Sequence, residues 1–380
     1  MPRRVLIVPD KFKGTLTAQA AAELIAQGWR QVYPDDTLEL LPMSDGGDGF
    51  GEVLSRLLPV QVRTTSTLDA AHQPIAAAWW WDPNSRTAII ESALVIGLAL
   101  LPAAKYHPFH LDTFGLGAVL EAAFEAGAQR CLIGIGGSAT NDGGFGMARS
   151  LGWQFLNHDH KPIEKWTDLA GVQQIISPPR RAVDPQVLVA VDVQNPLLGE
   201  HGASRIYGPQ KGLRPEDMAQ AERCLRCLAE VVERDLQLAV RGEPGTGAAG
   251  GLGFGLRSFL GARLQSGFKL FAENAKLDER IRAAQLVLTG EGAIDASTLM
   301  GKGVGEIARL ARKHGVPCLG LAGNLVESQA TETATNNFTK LYGIVPQLTG
   351  LEEAKRDPST WLPRLATAAA RAWMQPGMAV

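Results

Sequence analysis

The chain has 380 residues, enough for two domains with cores of their own. Hydrophobic residues make up 45%, and 37 Lys and Arg against 39 Asp and Glu leave a net charge of −2, which argues against a nucleic-acid binder held by a basic face. No apolar run is long enough to span a membrane, the N-terminal RVLIVP meets Pro9 and Asp10 far short of a signal-peptide core, and Cys131, Cys224, Cys227 and Cys318 are scattered, so the expectation is a cytoplasmic protein with reduced thiols.

Residues 4–9 are β-rich and end in Asp10-Lys11-Phe12-Lys13-Gly14; Thr15 or Thr17 can cap the Ala-rich helix that follows, up to Gly28. A second short strand, residues 38–42, runs into Ser44-Asp45-Gly46-Gly47-Asp48-Gly49, and residues 50–58 read as a helix. This order begins a doubly wound sheet. From Val60 the pattern changes to short strands at residues 60–67, 75–81 and 87–91, which suggest antiparallel sheet and a new domain. The run Trp79-Trp80-Trp81 reads as sheet packing rather than a stacking platform for bases. A helix at residues 115–125 is closed by Gly127.

Residues 131–148, CLIGIGGSATNDGGFGMA, run from a buried strand into six glycines interleaved with Ser138, Thr140, Asn141 and Asp142. Glycine lets backbone N–H groups turn toward a ligand, and such turns after a strand are where α/β proteins hold anions. Residues 187–191 form a strand that presents Asp192 at its end, followed by Asn195 and Pro196. YGPQKG at residues 207–212 reads as a turn carrying Lys211, residues 215–238 as a long helix with the CxxC-spaced Cys224 and Cys227, and residues 245–255 as a third Gly-rich stretch suited to close packing as much as to a ligand. A strand at residues 285–289 enters Gly290-Glu291-Gly292-Ala293-Ile294-Asp295. MGKG at residues 300–303 leads into a helix to about His314, then come strands at residues 318–322 and 340–345 and a closing helix at residues 361–374.

The return of the βαβ pattern implies an α/β protein with two α/β domains. One is a doubly wound parallel-sheet domain built from both chain ends, residues 1–60 plus 285–380. The other is an inserted mixed-sheet α/β domain, residues 61–284.

Five strand-end sites combine glycine with carboxylate, and some add lysine: residues 10–13, 45–48, 136–142, 192–195 and 290–295. Glycine N–H groups and lysines suit phosphate oxygens, carboxylates suit Mg²⁺, and a carboxylate beside a hydroxyl can take its proton. Phosphoryl transfer needs all three parts. No P-loop occurs, since the residue five before Gly301 is Ala296 and Gly303 follows Lys302; kinase signatures, the G-x-S-x-G elbow and a histidine metal pattern are also missing from the sequence. Gly134, Gly136 and Ala139 make a weak dinucleotide fingerprint, with Asp159 as its acidic residue, which keeps a nicotinamide-dependent hydroxy-acid dehydrogenase as an alternative.

Seven segments in order resemble the bacterial type-1 glycerate kinases: PDKFKGTLTA at residues 9–18, MSDGGDG at 43–49, GIGGSATNDGG at 134–144, DVQNPLLGEHGA at 192–203, GPQKG at 208–212, GAAGGLG at 247–253 and LTGEGAID at 288–295. The resemblance implies ATP-dependent phosphorylation of D-glycerate with Mg²⁺, giving 2-phosphoglycerate, with 3-phosphoglycerate as the alternative product and a non-catalytic ligand sensor as the remaining one. It also implies a flavodoxin-like domain, a second α/β domain and an active site in their cleft. The chain departs from the pattern at Lys11, Asp48, Phe50 and Ala293; many members carry Arg at this last position, whose charge would fall to Lys11 or Lys302.

Residue chemistry and the resemblance together give the site expectations. Asp192 is the first choice for catalytic base or Mg²⁺ ligand, Asp45 for a partner of the substrate hydroxyl or metal, and Asp295 for the metal. Lys13 and Lys211 are candidates for phosphate or the glycerate carboxylate. Gly136, Gly137, Ser138 and Thr140 would hold ATP phosphates or substrate, with Gly290 and Gly292 as further cofactor contacts. Asn141 and Asp142 have a competing local use as loop caps.

Overall fold

The computed structural model describes residues 2–47, 49–179, 185–295, 298, 303–326 and 337–373. Lys302, Asp48 and the MGK of residues 300–302 lie outside the described residues, as does the end of the closing helix beyond Trp373. In chain order the strands are β1 (Arg4–Pro9), β2 (Thr37–Leu40), β3 (Gln61–Leu68), β4 (Pro74–Asp82), β5 (Thr87–Glu91), β6 (Arg130–Gly134), β7 (Gln154–Asn157), β8 (Val172–Ile176), β9 (Gln186–Ala190), β10 (Arg263–Gln265), β11 (Leu286–Ile294), β12 (Cys318–Leu325) and β13 (Lys340–Gly343).

The chain divides into two compact units. One comprises residues 1–45 and 271–380, the other residues 46–270.

In the first unit five strands form a wholly parallel sheet in the order β13-β12-β11-β1-β2. Numbered within the unit this is 2-1-3-4-5, the flavodoxin-like order, in which the winding direction reverses between the first and third strands. Val5, Leu6, Ile7 and Val8 are all fully buried, as a strand covered on both faces requires. The helices Ala18–Arg30 and Pro358–Trp373 pack on one face with Val5, Ile7, Leu286, Leu288, Leu319 and Leu321. The helices Leu277–Ala283 and Gly303–Lys313 lie against β1, β11 and β12 as well. Of the two candidate caps for the first helix, Thr17 is the one used: its Oγ1 accepts the Ala20 N–H at 3.2 Å.

In the second unit six strands run in the order β10-β9-β6-β5-β4-β3. β3, β4 and β5 pair antiparallel, whereas β5, β6, β9 and β10 are parallel, so the sheet is mixed. Trp79 and Trp81 alternate into the main core on one face of this sheet, while Trp80 packs with Phe50, Leu54, Ile89 and Leu132 on the other. The period-two alternation of β4 thus uses all three tryptophans as packing.

Three segments differ from the reading of the sequence. YGPQKG is not a free turn but the last part of the helix Ala203–Lys211, which tolerates Pro209 inside it and ends on Gly212 at φ 105°. Residues 245–255 enter the helix Ala248–Leu260 through three successive left-handed residues, Ala249, Gly250 and Gly251. β11 does not stop at Thr289 but continues through Gly290, Glu291 and Gly292 to Ile294, paired with β12.

Candidate active site

In the first unit the reversal of winding falls between β1 and β11, and ligands of open α/β sheets sit beyond the carboxyl ends of the strands at such a point. β1 ends at Pro9, so Asp10 stands at that end, tied in by its N–H to the Gly290 carbonyl at 2.8 Å. Burial pushes the Asp10 carboxyl up to about 7, the Asp45 carboxylate acting in the same direction and Glu291 contributing less. Lys11 Nζ lies 3.9 Å from Asp45 Oδ1. Glu291 Oε1 accepts the Thr298 hydroxyl at 2.8 Å, and the same hydroxyl oxygen accepts the Asp295 N–H at 3.3 Å. Asp10, Asp45 and Glu291 therefore form one electrostatically linked acidic group, with Lys11 beside it.

Lys13 is exposed on the turn after β1. Gly290 and Gly292 sit within β11, where close approach demands glycine: a Cβ on Gly290 would stand 2.1 Å from the Leu321 carbonyl oxygen. Asp295 is half-buried just past the end of the strand.

In the second unit the carboxyl ends of β5, β6 and β9 carry the remaining residues. Glu91, at the end of β5, is buried and accepts the N–H of Gly49 and of Gly51, each at 2.9 Å. The helix Phe50–Leu57 begins at Gly49, which offers no side-chain cap, so a carboxylate from β5 serves instead.

β6 runs into the Gly-rich loop. Its backbone is held at several points: Gly136 N–H to the Gly46 carbonyl at 3.2 Å, Leu98 N–H to the Gly137 carbonyl at 2.8 Å, Ala139 N–H to the Ile96 carbonyl at 2.9 Å and Gly143 N–H to the Gly250 carbonyl at 3.1 Å. The N–H groups of Gly137 and Ser138 find no acceptor among the described residues. Gly137 is exposed and left-handed at φ 75°, the conformation that turns successive N–H groups outward to form an anion nest. Ser138 and Thr140 hydroxyls lie 3.1 Å apart, and Ser138 Oγ donates to the Ala249 carbonyl at 3.2 Å.

Asp142 is fully buried. It accepts the Thr113 N–H and hydroxyl and the Gly146 N–H at Oδ2, and the Gly144 N–H at Oδ1. Its use is the loop-cap one, pinning the starts of the helices Phe114–Glu125 and Phe145–Ser150. Burial, then the nearby Asp112 charge, pushes its carboxyl up to about 6. Asn141, also fully buried, donates to Ser204 Oγ at 2.9 Å. The helix after this loop starts only at Phe145, nine residues beyond Gly136, whereas a dinucleotide fingerprint opens its helix inside the motif.

Asp192 follows β9 and is exposed, and its Oδ1 accepts the Gly267 N–H at 3.2 Å. Lys211 is buried, and its Nζ donates to the Thr140 carbonyl at 2.6 Å. It stands behind the loop rather than at its open side.

Thr298, Glu91 and Thr113 had no part in the site as read from the sequence, and Asp10 and Glu291 fell within its strand-end groups without a role of their own. Asp10, Glu91 and Glu291 share a signal that is present there, a carboxylate at or just beyond the last core residue of a strand. Thr113 and Thr298 have none, because only the fold brings them to their carboxylates.

As for a metal, no three His, Cys, Asp or Glu side chains among the described residues converge as a ready cage. Mg²⁺ needs fewer protein ligands, taking one or two carboxylates with phosphate oxygens and water. The hard oxygen donors Asp10 and Asp45, whose mutual repulsion a cation relieves, fit that demand.

A parallel sheet with acidic groups at its switch point, and a second sheet followed by a Gly-rich loop with two N–H groups unclaimed among the described residues, are what a phosphotransferase of the α/β class would need. The model of the glycerate kinase family matches residues 5–374, and the chain belongs to that family. It is 35% identical to a glycerate kinase of Halalkalibacterium halodurans over 95% of this chain and 96% of that one, and 34% identical to the glycerate 2-kinase of Escherichia coli over 93% of each. A crystal structure assigned as glycerate kinase 2 from Salmonella typhimurium superposes with a TM-score of 0.84 at 32% identity, covering 98% of both chains.

Proposed function

We propose that this enzyme transfers the γ-phosphoryl group of ATP to the 2-hydroxyl of D-glycerate, with Mg²⁺, as a cytoplasmic enzyme acting on small molecules. The observation that carries the reading is the pair of unclaimed N–H groups at Gly137 and Ser138, at the end of a buried strand in a member of the glycerate kinase family. Phosphate oxygens are the acceptors such a nest takes. Gly136 to Thr140 hold the phosphates in this reading. Asp10 and Asp45, with Asp295 just past the end of β11, would hold Mg²⁺, which neutralises charge on the phosphates when bound. Asp192 accepts the proton of the attacking hydroxyl, and its exposure leaves its carboxylate accessible for that work. Lys13 is exposed on the turn after β1 and supplies a cation for the glycerate carboxylate. The 2-phospho product is the finer part of the reading, supported by the name of the Escherichia coli relative.

The test is ADP release with D-glycerate, ATP and Mg²⁺, with the product identified by phosphorus NMR. Glycerate-dependent turnover with a 2-phosphoglycerate signal is the expected result. A 3-phosphoglycerate signal would overturn the regiochemistry, and no turnover from folded protein would overturn the reading.

A further inference from the structure

We infer that Lys211 is a positioning residue: by clamping the Thr140 carbonyl from behind, its ammonium holds the Gly137–Ser138 nest open for phosphate, without touching the ligand itself. The role in catalysis rests on the phosphate reading of that loop.

Lys211 ends the helix Ala203–Lys211, is 6% exposed and places Nζ 2.6 Å from the Thr140 oxygen. Thr140 lies two residues inside the point where the loop changes character. Gly136 and Gly137 before it are accessible, whereas every residue from Ser138 through Ala148 is buried. Fixing the Thr140 carbonyl therefore restrains the backbone that carries the Gly137 and Ser138 N–H groups, three and two residues before it.

A neutral donor would satisfy a carbonyl with less desolvation, since a buried ammonium is strongly unfavourable unless an opposite charge and hydrogen bonds compensate it. The compensation is partial: burial lowers the affinity of the amine for its proton to about 7, and the Asp142 charge, acting the other way, offsets part of that. Asp142 is held in turn by four donors from Thr113, Gly144 and Gly146. The clamp is thus anchored to a part of the core that cannot shift independently of the loop.

A second contact at the same place restrains the loop from another side. The left-handed turn at Ala249, Gly250 and Gly251 lies directly on it: a Cβ on Gly250 would stand 1.9 Å from the same Thr140 oxygen. Glycine is required there both for its φ of 68° and for this approach. The Thr140 oxygen is thus approached closely by the Gly250 backbone while it accepts from the lysine.

The experiment compares Lys211→Met, which removes the donor, with Lys211→Gln, which keeps a donor at the same reach as methionine; both side chains are one bond shorter than lysine. Two readouts are taken on the full chain. Hydrogen exchange without ligand is expected to rise at least tenfold at Ala139 and Gly143 in Lys211→Met, to rise less in Lys211→Gln, and to stay unchanged in the strands β6 and β9. Steady-state kinetics are expected to show the KM for ATP raised at least tenfold in Lys211→Met and partly restored in Lys211→Gln, with the KM for glycerate within about twofold. Unchanged exchange at Ala139 and Gly143 in folded variants overturns the clamp. Faster loop exchange with an unaltered KM for ATP overturns its link to phosphate. If Lys211→Met fails to fold, Lys211→Gln against the wild type carries the same two comparisons. A wild type without glycerate-dependent turnover overturns the functional reading, while the exchange arm still decides the clamp.

Discussion

Thr113 and Asp142 are joined twice, the carboxylate Oδ2 accepting the Thr113 backbone N–H at 2.9 Å and its hydroxyl at 2.7 Å. The same hydroxyl oxygen accepts the Met147 N–H at 2.8 Å, so one side chain ties two helix starts to one buried carboxylate. Thr113→Val keeps the shape and the backbone bond but removes the hydroxyl. It leaves the Met147 N–H unpaired and the carboxylate one donor short, which costs about 1–3 kcal/mol. Urea melts are expected to show that loss with the slope unchanged. A variant as stable as the wild type would show that water replaces the hydroxyl there.

Glu91 and the helix Phe50–Leu57 make a second such relation. In Glu91→Gln one carboxylate oxygen becomes an amide NH₂ facing a backbone N–H, so a buried donor loses its acceptor. The expected loss is about 1–3 kcal/mol by thermal or urea melting. An effect within about 0.5 kcal/mol, the range of ordinary surface changes, would mean that the cap is dispensable.

The parts of the fold differ in how legible they are from sequence. Strand ends followed by glycine and carboxylate mark β1, β6, β9 and β11 from apolar runs alone, and a domain built from both chain ends follows from a βαβ pattern interrupted and resumed, whereas its flavodoxin-like character comes with the family resemblance. The sequence also shows Lys211 as a cation beside glycine. It cannot show that the residue closes a helix and points into the core, because Pro209 and Gly208 read locally as a turn. Likewise Gly290 and Gly292 read as a loop, since nothing local shows that β11 keeps its partner β12 through a glycine pair. The carboxylate caps are hidden for a related reason: Glu91 meets Gly49 across 42 residues and Asp142 meets Thr113 across 29, and such pairings are created by the sheet order rather than by local sequence.

Asp192→Asn separates chemistry from folding. The residue is exposed, and asparagine keeps an oxygen for the Gly267 N–H. Stability is expected to stay within about 0.5 kcal/mol of the wild type, while kcat falls by at least about two orders of magnitude, the scale of a lost general base. Turnover close to normal would remove Asp192 from the mechanism.

Asp45→Asn addresses the acidic group at the switch point. Removing this charge takes away repulsion on Asp10 and one hard oxygen ligand. The Mg²⁺ concentration for half-maximal turnover is expected to rise about tenfold, the effect of about 1.4 kcal/mol of lost binding. An unchanged Mg²⁺ requirement would place the metal elsewhere.

The buried charges of Asp142 and Lys211 give stability a pH dependence with opposite signs. The Asp142 carboxyl, about 6 when folded against 3.8 as its ordinary value, binds a proton more readily in the native state, so its contribution falls as pH rises from about 4 to 6 and is flat above. Lys211 is about 7 when folded against 10.5, so the unfolded chain binds more protons between those values and stability rises with pH there. The two effects leave a trough near pH 6 to 7, where both groups are charged. Lys211→Met lacks the second limb. The stability of the wild type relative to Lys211→Met is therefore expected to increase from pH 7 to pH 9, by at least about 1 kcal/mol, since each tenfold difference in proton affinity between the folded and unfolded chain is worth about 1.36 kcal/mol. Urea melts of both proteins across that range read the difference directly. A constant difference would mean that Lys211 stays fully protonated beside Asp142 throughout, its clamp on Thr140 then being a permanent ion rather than a titrating one.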